Sequence, residues 1–145
     1  MEQKVIYKLF LLIGSILMLN SSCEKNDVDK IVTNTYNYIN NSGKQLQMKI
    51  YSSSDEIISN NEIPVGDTLS FKLKAEGGAG PFQFETSHGD SIYINFSNER
   101  YQIYRKDYDS IFFEKGYNKT KISDQEFQLF YVFTTEDYET ATVIE

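Results

Sequence analysis

From residue 36 onward, apolar and polar side chains alternate in steps of two, the spacing of strands that bury one face. Tyr36, Tyr38 and Ile39 open the series before the turn Asn40-Asn41-Ser42-Gly43. Leu46, Met48 and Ile50 share one side, with Gln45, Gln47 and Lys49 on the other. Leu69, Phe71 and Leu73 alternate with Ser70, Lys72 and Lys74, and Phe82 and Phe84 with Gln83 and Glu85. Ile92, Ile94 and Phe96 follow a turn at Gly89-Asp90, and Tyr101 and Ile103 are expected to pair with a short strand at Ser110 to Phe113. The densest apolar run, Phe127 to Phe133, predicts a central strand. About eight short strands separated by turns predict an all-β fold, an antiparallel β-sandwich of which the immunoglobulin-like sandwich is one form. The one helical signal is a single C-terminal turn. There Thr135 is placed to cap Glu136-Asp137-Tyr138, with two acids where the helix dipole favours them.

The first 22 residues follow a different pattern. Lys4 and Lys8 precede eleven mostly apolar residues, Leu9 to Leu19, and Ser21-Ser22 then lead to Cys23, the single cysteine. A membrane-spanning helix needs ~20 apolar residues, so the run has the length of a signal-peptide core. This layout resembles a bacterial lipoprotein signal, which implies that Cys23 is lipidated and that residues 1–22 form a signal helix that is removed. Asn20 stands where the lipobox has a branched apolar residue, a position at which lipoproteins of the Bacteroidetes are looser. An exported protein that uses cysteine structurally has an even number of them, and lipidation accounts for a lone one. Residues 23–35 are polar and without periodicity, and read as a flexible tether ahead of a sandwich domain at 36–145. Its start, Glu24-Lys25-Asn26-Asp27, loosely resembles acidic signals that send such lipoproteins to the outer membrane's outer face.

Charge narrows the partners. Removing residues 1–22 takes out Lys4, Lys8 and Glu2 and leaves 12 basic against 20 acidic residues, a net charge of −8. Such a surface repels nucleic-acid phosphates, and no basic patch is present, so nucleic acid is not an expected partner. Tyrosine (11) and phenylalanine (10) are abundant and tryptophan is absent, in keeping with strands.

Three segments begin alike: Asp67-Thr68-Leu69, Asp90-Ser91-Ile92 and Asp109-Ser110-Ile111. They read as hairpin periodicity, an aspartate closing a turn and a hydroxyl opening a strand. Signal, cysteine and acidic tether come first, then Asn41-Ser42-Gly43, the turn Pro64-Val65-Gly66-Asp67, Asp90-Ser91-Ile92 and the ending Phe133-Thr134-Thr135-Glu136-Asp137-Tyr138. This order resembles small Bacteroidetes lipoproteins of unknown function over most of the chain. The resemblance implies an outer-membrane address, on the periplasmic or the cell-surface face, and supplies no catalytic residues. In that phylum Asp-Ser/Thr followed by a small or aliphatic residue is an O-glycan acceptor pattern, matched at Thr68, Ser91 and Ser110.

No catalytic constellation is legible. The one histidine, His88, lies in Ser87-His88-Gly89-Asp90, which reads as a turn, not a triad. Glu85, His88 and Asp90 lack the Cys and His ligands of a zinc site, and Asp107 and Asp109 lack a calcium loop. The Gly77 to Gly80 loop lacks the Gly-Lys-Ser/Thr ending of a phosphate loop. No metal or other cofactor is expected. Tyr93, Tyr101, Tyr104, Tyr108 and Tyr117 crowd one stretch. They read either as cross-strand pairs or as an exposed patch for a protein or glycan. The expectation is therefore a lipid-anchored envelope protein, a non-catalytic binding or accessory module for a protein or glycan. The alternatives are a structural lipoprotein pairing through sheet edges, or a small hydrolase or inhibitor.

Overall fold

The computed structural model describes residues 31–75, 89–106 and 108–145. Within them nine strands form two sheets packed face to face, an all-β sandwich. The strands are β1 (Val32–Asn41), β2 (Leu46–Tyr51), β3 (Ile57–Ile63), β4 (Thr68–Ala75), β5 (Ser91–Phe96), β6 (Arg100–Arg105), β7 (Asn118–Ser123), β8 (Glu126–Thr134) and β9 (Thr142–Val143). One sheet has the order β4-β1-β8-β7 and the other β3-β2-β5-β6-β9. All pairings are antiparallel except β1 with β8, which run parallel with Tyr36 opposite Leu129.

The period of two places the core. Leu46, Met48 and Ile50 of β2 and Ile92, Ile94 and Phe96 of β5 are buried, and Leu46 pairs with Phe96 and Met48 with Ile94. The facing sheet contributes Tyr36, Tyr38, Leu129 and Phe133, with Leu69, Phe71, Leu73, Phe127 and Tyr131 packed around them. β8, the dense apolar run, lies between two neighbours, as a central strand should.

Four local expectations change. β1 begins at Val32, which is buried, so residues 32–35 belong to the sheet and not to the tether. Ser110–Phe112 is a 3-10 turn instead of a strand, and Tyr101 and Ile103 lie beside β5 while β9 covers Tyr101. The Asp109 carboxylate accepts the Arg105 backbone N–H at 2.6 Å and turns the chain. Gly116 then packs so closely that a Cβ there would lie 2.1 Å from the Ser110 carbonyl oxygen. The turn carries Ile111 and Phe112 into the core, where a straight strand would leave alternate residues in water. β3 and β7 were not expected; both are edge strands with mainly polar sequences, and every residue of β7 is exposed. The helix α1 (Thr135–Thr140) is capped by Thr134, one residue earlier than expected. Thr134 and Asp137 form a reciprocal capping box, with the Thr134 N–H donating to the Asp137 carboxylate at 2.6 Å. Phe82, Phe84 and residues 1–30 lie outside the described residues.

Asn40 ties the corner where the chain crosses between sheets. It is fully buried, and its amide donates to the carbonyls of Lys44 (2.8 Å) and Ile63 (2.7 Å). Its Oδ1 accepts from the Ser42 N–H (3.1 Å) and hydroxyl (2.7 Å). Gly43, at φ +76°, completes this turn. Among the described residues no helix is long and apolar enough to cross a membrane.

Candidate binding face

The residues of β2 and β5 that alternate with the core strip form the outer face of the five-stranded sheet. Register sets them in rows. Gln47 pairs with Glu62 of β3 and with Asn95 of β5, and Asn95 pairs with Tyr101 of β6. Directly opposed residues share a face, so Glu62, Gln47, Asn95 and Tyr101 make one band across four strands, roughly 14 Å long at ordinary strand spacing. The next row is Asn60, Lys49, Tyr93 and Ile103.

Two aromatics bridge the rows. Tyr93 and Tyr101 stack with centroids 5.6 Å apart and planes 19° apart. The Lys49 ammonium lies 5.9 Å above the Tyr93 ring. Partial desolvation pushes the Tyr93 hydroxyl's pKa up, with a hydrogen bond to Asn95 opposing it.

At the end of the first band lies an open, polar cleft of about 320 Å³, lined by Gln45, Leu46, Gln47, Glu62, Asn95, Ser97 and Asn98. Its rim is the β5–β6 turn, where Ser97 (φ 53°) and Asn98 (φ 60°) both adopt the left-handed conformation. Asparagine tolerates this; serine there stores ~1 kcal/mol or more of strain. The turn is held by Asn95, whose Oδ1 accepts the Asn98 N–H at 2.7 Å and whose amide donates to Asn98 Oδ1 at 3.1 Å. The Gln45 amide donates to Glu62 at 3.0 Å. Beside the turn, hydrogen bonds from Lys44 and then Tyr138 hold the Glu99 carboxyl below the usual carboxylate range. The Gln47 amide, at the middle of the band, makes no hydrogen bond among the described residues.

The tyrosine stretch is thus divided between two environments. Tyr93 and Tyr101 form an outward cross-strand pair, and Tyr108 is 83% exposed. Tyr104 and Tyr117 are buried. Tyr117 donates its hydroxyl hydrogen to the Ile111 carbonyl at 2.7 Å and so accepts from the Tyr38 hydroxyl at 3.0 Å. Its ring meets Tyr36, Tyr38 and Tyr131 edge-on.

Thr68 opens β4 and is exposed; Ser110 opens the 3-10 turn and is exposed; Ser91 opens β5 and is half-buried. They do not converge. Cys23, Glu85, His88 and Asp107 lie outside the described residues. Asp90 meets Lys106 at 3.6 Å, and no group of three or more His, Cys, Asp or Glu suited to a metal occurs among the described residues. The band of Gln47, Glu62 and Asn95 was not singled out from sequence. Such residues at outward strand positions look like any solvated face, and the one available signal is that amides stand there where charged residues are commoner. No protein-family model, no curated protein and no solved structure matches the chain.

Proposed function

We propose that this chain is a lipid-anchored, non-catalytic binding module of the cell envelope, tethered to the outer membrane through Cys23. The outer face of the five-stranded sheet is its ligand face. The observation that carries the binding reading is the Tyr93–Tyr101 stack set into a band of amides beside an open cleft. Half-exposed aromatics next to fixed polar groups give a ligand both contact area and orientation. The order Lys4, Lys8, apolar core, Ser22-Cys23 carries the anchor reading. On the same reading Thr68 and Ser110, being exposed, are O-glycan acceptors ahead of the half-buried Ser91.

The test is capture from the native envelope. Wild-type protein and a Tyr93→Ala/Tyr101→Ala variant are each purified from membranes, and bound material is identified by mass spectrometry of protein and sugar. Material retained by wild type and lost from the variant supports the face; equal retention refutes it.

The β3 edge favours a second reading, assembly through strand pairing. β3 contains no lysine or proline and exposes Ile57 (55%) and Ile58 (52%), whereas the β7 edge carries Lys119 and Lys121. Charged and especially lysine side chains protect edges from pairing, and β3 lacks that protection apart from Glu62. Ile58→Lys would abolish such pairing while leaving Gln47, Tyr93 and Tyr101 in place.

A further inference from the structure

We infer that the ligand of this face is a neutral oligosaccharide lying across the strands, along the band from Glu62 to Tyr101. The inference rests on the proposed binding face and names its chemistry.

Charge removes most alternatives. The two rows hold one cation, Lys49, and one carboxylate, Glu62, and the latter is already engaged by the Gln45 amide. A polyanionic ligand requires several cations, and a cationic peptide several free carboxylates. An apolar ligand would find no apolar side chain there, since Leu46, the one apolar residue among the seven lining the cleft, is buried in the core. What remains is a neutral partner rich in groups that both donate and accept.

The side chains present suit hydroxyl groups. An amide offers two donors and an acceptor, so one Gln or Asn can hold adjacent hydroxyls of a sugar ring. Gln47 stands uncommitted at the centre of the band. Asn95 is nearly buried and its amide is spent on Asn98, so it braces the rim and leaves Gln47 to meet the ligand. The tyrosine rings supply the complementary element, a flat face for the apolar C–H side of a pyranose. The strained, non-glycine turn at Ser97-Asn98 keeps a polar rim where glycine would relieve the backbone but offer no side chain. The opening is shallow and unclosed, which fits a segment of a longer chain and not an enclosed small molecule.

The experiment uses the full chain, purified in detergent, with its amide resonances followed by NMR during titration. The probes are neutral tetrasaccharides built from glucose, mannose, xylose or N-acetylglucosamine, with tetragalacturonate and a neutral extended peptide as contrasts. At least one neutral probe at millimolar concentration should shift Gln47, Glu62, Asn95, Asn98 and Tyr101 together. Gln47→Ala and Tyr101→Ala should each weaken it about tenfold, while Tyr101→Phe, which keeps the ring, should not. Thermal unfolding of each variant shows that the fold is kept, and Gln47→Ala alone decides the site where Tyr101→Ala fails to fold. If the peptide or tetragalacturonate shifts this face and no neutral sugar does, the sugar assignment is overturned and the binding face stands. If sugars bind but Gln47→Ala and Tyr101→Ala bind them as well as wild type does, the site is wrong. If no probe shifts the face, the inference fails, and the envelope capture separately decides whether the face binds anything.

Discussion

Raising the pH should unfold this domain through its core tyrosines. Burial is the main cause that lifts the hydroxyls of Tyr38, Tyr104 and Tyr117 far above the ordinary phenol range. Their side chains are 0%, 4% and 7% exposed. In the unfolded chain each ionises near pH 10. Below that pH both states hold the proton and these groups contribute no pH dependence. Above it the unfolded state sheds protons that the folded state keeps, so stability falls as pH rises. Each phenol contributes about 1.4 kcal/mol per pH unit, and the three together about 4. A domain with about 8 kcal/mol of stability therefore reaches its midpoint near pH 12. The assay is tyrosinate absorbance at 295 nm recorded alongside far-ultraviolet circular dichroism. Absorbance should rise in two steps, the second coincident with loss of the β signal. Tyr117→Phe removes one of these groups, so the slope measured by urea titration at several pH values should become shallower by about 1.4 kcal/mol per pH unit. A single absorbance wave completed while the β signal is intact would refute the argument, because it would mean these phenols ionise inside the folded core.

Cys23→Ser should abolish incorporation of labelled fatty acid, and equal labelling of both proteins would end the lipoprotein proposal. Ile94→Ala, at a fully buried position, should cost about 2–5 kcal/mol in urea unfolding. Phe71→Ala should cost less, because Phe71 is half-buried on an edge strand; the reverse order would show the core misplaced. Asn40→Ala should cost about 1–3 kcal/mol, since it removes the donor to the buried Ile63 carbonyl and the acceptor of the Ser42 N–H while the Ser42 hydroxyl keeps the Lys44 carbonyl, and a loss under ~0.5 kcal/mol would refute its corner role.

The sequence makes the sandwich legible wherever a strand buries one face against the other sheet. β2, β4 and β5 alternate because water lies on one side and core on the other, and β8 is legible as the densest apolar run. β3 and β7 escape because an edge strand far from the core needs no apolar alternation: Asn118-Lys119-Thr120-Lys121 pairs with β8 through its backbone and adds only exposed contacts such as Lys119 over the Phe127 ring. Ser110 to Phe113 misleads for the opposite reason. Consecutive apolar residues satisfy either a buried strand or a tight turn pressed into the core, and only the distant Gly116 and Asp109 decide. The parallel partnership of β1 and β8 is invisible to any local window. The binding face is half legible: Tyr93 is outward by parity with Ile92 and Ile94. Its company of Gln47, Glu62 and Tyr101 depends on register, which no spacing in the chain reports.

That parallel ladder also governs when the protein can exist as a folded object. Asn37 of β1 donates to the Leu129 carbonyl across 92 residues of chain. A chain emerging N-terminus first presents β1 long before β8 has been made, and β4 alone covers only one of its edges. Tyr36 and Tyr38 thus gain their Leu129, Tyr131 and Phe133 neighbours at the last major strand. Closing so distant a pairing is slow, because the loop entropy is lost before the contacts form. The nascent chain consequently stays open and threadable until β8 has been made, and a truncation ahead of Glu126 yields a polypeptide that never closes its core.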